Sequence, residues 1–136
     1  MTIDDTLFTI PCTGDACRGD TILFTEAVFG GSYRKPKFLG ERRVVARIVN
    51  DSFGALKQQH TFALEILDSD GYDPLAPGSR TTRKGRNVYR RGTWRQPWPD
   101  EAARTLALAE KHDRGSEARR RRDARWEQEG RVPYRP

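Results

Sequence analysis

Alternation is the strongest constraint in this chain: three separate runs place an apolar residue at every second position, opposite a mixed face. In GDTILFTEAVFG (19–30), Gly19-Asp20 makes a turn; Ile22, Phe24 and Glu26 then share one face, with Leu23, Thr25 and Ala27 on the other. In RRVVARIVN (42–50), Val44, Ala46 and Ile48 oppose Arg43, Val45, Arg47 and Val49. In HTFALEIL (60–67), Phe62, Leu64 and Ile66 take one side. Successive side chains of a strand point to opposite faces, so each run suits a strand with one face in a core. Asp51-Ser52-Phe53-Gly54 reads as a turn between two of them, GGSYRKPKFLGE (30–41) as a Gly-rich loop, and DSDGYDPLAPGS (68–79) as an acidic connection.

After Pro97 the pattern changes. Trp98-Pro99-Asp100-Glu101 reads as a helix start, with proline at the first helical position and acids where the helix dipole favours them. The following AARTLALAEKH offers a small apolar stripe, Ala103, Leu106 and Ala107, able to dock on the sheet. Gly115 ends that helix, and Ser116 caps a second, SEARRRRDARWEQEG, which is polar nearly all round. The expected fold is α+β. A small, strongly bent antiparallel sheet or barrel spans residues 1–98, and an Arg-rich extension over 99–136 holds one docked helix and one basic C-terminal helix. At 136 residues the chain suits one hydrophobic core.

Charge divides the chain. Residues 1–79 carry 8 Lys+Arg against 11 Asp+Glu, and residues 80–136 carry 17 against 8, a net −3 followed by +9. A local positive field draws polyanions. It is densest in RTTRKGRNVYRRGTWRQPW (80–98), which sits in a stretch with no acid between Asp73 and Asp100. Guanidinium groups meet phosphate oxygens in a planar, bidentate way, and aromatic faces stack on bases. Arg83, Lys84, Arg86, Arg90, Arg91 and Arg95 are therefore candidate phosphate ligands, with Tyr89 and Trp94 as stacking residues. Arg34 and Lys35, between Tyr33 and Phe38, are a candidate second arm of the same site. The plainer alternative is a solvated basic strand whose Tyr89 and Trp94 pack into the core. NVYRRGTW reads as strand, glycine, strand.

Other chemistry is sparse. Cys12 and Cys17 are the only cysteines, and His60 and His112 are isolated from each other, so two reduced thiols are expected rather than a zinc site, with no metal and no cofactor. Asp68, Asp70 and Asp73 lack the downstream glutamate of a calcium loop. No phosphate-binding glycine motif, nucleophile elbow or HExxH motif occurs. His60, Glu65 and Glu26 are the candidates for any catalysis. No apolar run approaches the ~20 residues of a membrane span, and the acidic start MTIDDTLFTIP is unlike a secretion signal. The expectation is a cytoplasmic protein with no membrane partner.

The turn-strand GDTILFTE, several short strands and then a basic strand resemble the PUA-like superfamily, its ASCH branch in particular, over roughly Thr6 to Trp98. That resemblance implies a small, mostly antiparallel barrel associated with RNA or modified-nucleotide recognition, with hydrolase activity in a few members. The G-x-K-x-x-T-x-R segment of ASCH proteins is missing from residues 1–18. Three functions are expected from the sequence. The first is binding of RNA or of single-stranded or modified DNA. The second is an enzyme acting on nucleotides or nucleic acid. The third is a phage or bacterial accessory module whose terminal helices grip an acidic protein partner.

Overall fold

A 3-10 turn at Asp5–Leu7 precedes β1 (Ile10–Pro11), β2 (Thr21–Gly31), β3 (Pro36–Phe53), β4 (His60–Gly71), β5 (Arg80–Lys84), α1 (Gly85–Tyr89) and β6 (Thr93–Arg95). A helix over residues 101–111, here α2, follows. This is a computed structural model, and it describes residues 3–53, 60–111, 113 and 120. The basic helix expected from Ser116 lies almost wholly outside the described residues. The six strands form one antiparallel sheet in the order β1-β6-β2-β3-β4-β5. The sheet is open, with β1 and β5 at its edges, so of the two expected architectures the barrel is not formed. Two outer strands, β1 and β6, are only two and three residues long.

The sheet is nonetheless bent. Arg83 on β5 hydrogen-bonds Glu26 on β2 at 2.8 Å, although β3 and β4 lie between them. Neighbouring strands are about 4.8 Å apart, so upright side chains on a flat sheet would not meet over that span. Ile22, Phe24, Val44, Ala46, Ile48, Phe62, Leu64 and Ile66 fill the inner face, as their alternation predicts, with Cys12, Ala16 and Val88 packed against them. The outer face holds a smaller cluster in which Ile3 and Phe8 of the N-terminal segment cover Leu23 and Val45.

Two expected loops are strand in large part, and so are Asp51, Ser52 and Phe53 of the expected turn, which end β3 opposite Phe62, Thr61 and His60. β2 and β3 continue until only residues 32–35 turn the chain, so residues 30–41 are the end of a long hairpin. Gly31, at φ +79°, makes that turn possible: a Cβ there would sit 2.7 Å from the Lys35 carbonyl oxygen. Likewise β4 runs on through Asp68-Ser69-Asp70-Gly71 after a bulge at Leu67. Acids are poor strand formers in isolation, but Arg43 stands directly opposite Asp70 and bonds it at 2.5 and 3.0 Å.

Helices depart from expectation in two places. Of the segment read as strand from Asn87, residues 87–89 belong instead to a single helical turn, Gly85–Tyr89. Gly85 lies so close to His60 that a Cβ would fall 3.1 Å from the imidazole Nδ1. The turn delivers Val88 and Tyr89 to the inner core. Pro99 is not the first helical residue: α2 begins at Glu101, and Asp100 caps it, accepting from the Ala102 N–H at 3.0 Å. That helix docks by charge, not by its expected stripe: Ala103 is exposed and Leu106 is 69% exposed, whereas Arg104 and Lys111 are buried. Lys111 donates to the Ala16 carbonyl at 2.5 Å and lies 5.3 Å over the Phe62 ring.

Candidate functional site

Strand β6 pairs with β2 only as far as Phe24, opposite Thr93. Beyond that point the chain has already swung away through Gly92 and α1. A cleft of about 370 Å³ opens between the uncovered edge of β2 and the segment Asn87–Arg91. Thr25, Ala27 and Phe29 form one wall; Asn87, Arg90 and Arg91 form the other; Glu26, Arg42 and Arg83 complete the lining.

Glu26 continues the inner-face series of Ile22 and Phe24, and its side chain is 11% exposed. It stands directly across from Arg42, whose Nε donates to it at 2.6 Å. Arg83 donates from Nε at 2.8 Å and from a terminal nitrogen at 3.2 Å. Burial would raise the Glu26 carboxyl; the hydrogen bonds from Arg83 and Arg42 outweigh it and hold the group below the usual carboxylate range. The single helical turn explains the clustering. In a strand the cations would alternate between faces, but helical spacing sets Arg86 beside the C-cap residue Arg90. Two guanidiniums, Arg42 and Arg83, thus bond one interior carboxylate, and Arg90 and Arg91 line the same cleft. Arg91 also bonds Glu41 on the rim.

The residues singled out from sequence do not all converge. Arg83, Arg90 and Arg91 line the cleft, and Arg86 is exposed on α1. Lys84 sits opposite Thr61, on the other face of the sheet. Arg95 is buried and bonds Glu101 at 2.7 and 3.0 Å, so it anchors α2 instead of meeting phosphate. Tyr89 belongs to the core rather than to a stacking platform: its ring meets Phe62 edge-on, and its hydroxyl accepts from the Ala16 N–H at 3.1 Å. Burial pushes its phenol well above the usual value. Trp94 is 46% exposed but stands beside Leu23 on the outer face, in a groove with Phe8 and Arg43 that shares Thr25 and Arg91 with the cleft. Arg34 and Lys35 occupy the hairpin turn.

Of the catalytic candidates, Glu26 alone lines the cleft. His60 packs on Phe62 at 4.2 Å near the start of α1. Glu65 pairs with Arg80, its cross-strand neighbour, at 3.6 Å. Among the described residues no three His, Cys, Asp or Glu side chains gather as metal ligands; His112 lies outside them. Burial pushes the Cys12 thiol to about 12 and that of Cys17 to about 11, so both stay protonated and unreactive near neutral pH. No helix among the described residues is long and apolar enough to cross a membrane. Residues 116–136, on which the acidic-partner expectation rests, are almost entirely outside the described part.

Arg42, Asn87 and Phe29 escaped the sequence reading. A usable signal was present: an acid in line with core positions needs a cation, and the hairpin brings Arg42 to it. Phe29 is 59% exposed and meets Phe38 edge-on at 6.0 Å.

A family profile matches residues 17–98, which run from the turn before β2 to Trp98 and contain every residue lining the cleft. The chain belongs to that family, described as a domain of unknown function (DUF7699). The DUF7699 segment therefore includes five of the six strands and α1, while α2 follows it. Over 123 residues the chain is 43% identical to "Zinc finger CCCH domain-containing protein 62" of Oryza sativa subsp. japonica, covering 87% of this chain and 18% of that protein. The chain thus spans less than a fifth of that relative's length. It holds two cysteines in all, one fewer than a CCCH set requires. No solved structure matches the chain.

Proposed function

We propose that this domain binds single-stranded nucleic acid, RNA or DNA, in the cleft beside β2. The observation that carries the reading is the excess of cation there: Arg42, Arg83, Arg90 and Arg91 against Glu26 and the rim acids Glu41 and Asp73, with the exposed ring of Phe29 at the same site. Glu41 pairs with Arg91 and Asp73 lies 3.9 Å from Arg42, so that Arg90 is left without an ion pair among the described residues. Phosphate would meet Arg90 and Arg91, which project from the wall facing β2, with Arg86 one turn away. Phe29 replaces Tyr89 and Trp94 as the stacking residue. A cleft of about 370 Å³ suits one splayed-out nucleotide rather than a duplex. The hairpin end adds Arg34, Lys35 and Lys37 with an exposed Tyr33, and no acid lies between Glu26 and Glu41. A strand leaving the cleft past Phe29 would meet that arm next.

Binding of a labelled single-stranded oligonucleotide, titrated across salt, tests this. Affinity should fall steeply as salt rises, each phosphate contact adding about −0.7 to the log–log slope. An Arg90→Ala, Arg91→Ala double variant should bind at least about tenfold more weakly, with a slope shallower by about one to two. Trp94→Ala, on the other face, should bind within about twofold of the unaltered protein. A flat salt dependence, or equal loss from Trp94→Ala, would overturn the proposal.

A further inference from the structure

The geometry points to a specific task for the exposed main chain of β2: reading one unpaired base by its hydrogen-bonding edge. This inference rests on the nucleic-acid reading above and deepens it.

Main-chain direction along β2 is fixed by two bonds at its start. The Asp20 carbonyl accepts from the Ile48 N–H at 2.9 Å, toward β3, and the Thr21 carbonyl accepts from the Gln96 N–H at 3.0 Å, away from it. Peptide groups of a strand alternate in direction, so Leu23, Thr25 and Ala27 follow Thr21 and face away from β3. Leu23 lies opposite Trp94, and β6 reaches no further than the position opposite Phe24. The N–H and C=O groups of Thr25 and Ala27 therefore enter the cleft with no paired strand among the described residues.

Such edge groups demand partners. Along this edge the Thr25 carbonyl is followed by the Ala27 N–H, an acceptor next to a donor. Each nucleic-acid base shows the complementary arrangement on its Watson–Crick edge, and shows it only when unpaired. An extended peptide could also pair with an open edge. The facing wall favours the nucleotide: it presents two guanidiniums, Arg90 and, shared with Glu41, Arg91, where a phosphate beside the bound base would lie. Base on the β2 edge, phosphate on Arg90 and Arg91, and Phe29 against a neighbouring base make one consistent occupant.

The test compares three probes of equal charge by fluorescence anisotropy: a single-stranded oligonucleotide, the same strand built from abasic residues, and a duplex. The unaltered protein should bind the single strand at least about tenfold more tightly than either other probe. Ala27→Pro removes one edge N–H at a position where an outward-facing edge tolerates proline. It should shrink the gap between intact and abasic strands to about twofold while keeping the salt slope. Equal binding of intact and abasic strands by the unaltered protein would overturn the inference and leave the phosphate-based reading standing. Absence of salt-dependent binding to all three probes would overturn both. Displacement of the oligonucleotide by an acidic peptide, lost in Ala27→Pro, would assign the edge to a peptide strand and overturn the inference. Should Ala27→Pro melt early, the comparison of intact and abasic strands on the unaltered protein decides alone.

Discussion

Asp20 and Glu26 lie six residues apart along the same stretch of chain, both are shielded from water, and both accept hydrogen bonds from arginine. Their surroundings differ in stoichiometry. Asp20, fully buried, takes the Trp98 Nε1–H at 2.7 Å, two donors of Arg104 at 2.9 Å each, and the Cys17 N–H at 3.0 Å. One guanidinium meets this carboxylate, with Asp15 at 4.0 Å from the same arginine, and neutral donors fill what is left. Glu26 meets two guanidiniums directly, and Arg90 and Arg91 line the same cleft. A matched carboxylate closes a structure, whereas an outnumbered one leaves positive charge for a ligand. The first ties α2 to the sheet; the second shapes the cleft.

The sharpest way to break this contrast is Asp20→Ala. Removing one partner of a buried ion pair strands the other, here Arg104, and costs about 3–5 kcal/mol. Urea or thermal unfolding should show that loss. A shift under about 1 kcal/mol would mean that Asp20 is not the lock described.

Glu26→Gln should behave differently. It leaves Arg42 and Arg83 adjacent without a neutralising charge, so the melting temperature should drop. Oligonucleotide affinity should nevertheless rise, with a salt slope steeper by up to about one unit, because the cleft gains net positive charge. Weaker binding in Glu26→Gln would show that the carboxylate organises the site rather than offsetting it.

The smallest effect is expected from acid. Glu101 is held at about 2 against an ordinary 4.5, chiefly by its hydrogen bonds from Arg95, with the Trp98 N–H helping. A depressed carboxyl contributes stability above its unfolded value and loses it as pH falls through the folded one. The dock of α2 should therefore hold at neutral pH and weaken between about 4.5 and about 2. Glu101→Gln should flatten that part of a pH-melting profile, and an unchanged profile would count against the role of the bond.

Much of the sheet was legible from residue order. Ile22, Phe24, Val44, Ala46, Ile48, Phe62, Leu64 and Ile66 alternate cleanly and are all on the inner face, because a period of two survives whatever tertiary partner the strand finds. What could not be read depends on pairing across the chain. Asp68 and Asp70 look like turn residues until Arg43 stands opposite Asp70. Arg104 and Lys111 look solvated until Asp20 and the Ala16 carbonyl receive them. The density of arginine in residues 80–98 was plain, but its division was not: Arg83, Arg90 and Arg91 went to the cleft, Arg95 to α2 and Lys84 to the far face. Tyr89 followed the helical turn inward, a turn favoured by the close approach of Gly85 to His60.

The lock on Asp20 also bears on where this unit ends. The family match stops at Trp98, yet the guanidinium that neutralises Asp20 comes from Arg104. A fragment excised at that boundary would keep the indole and discard the cation, leaving the Asp20 carboxylate without its neutralising partner. A fragment extended through the first turns of α2 should therefore be more stable than one cut at the family boundary.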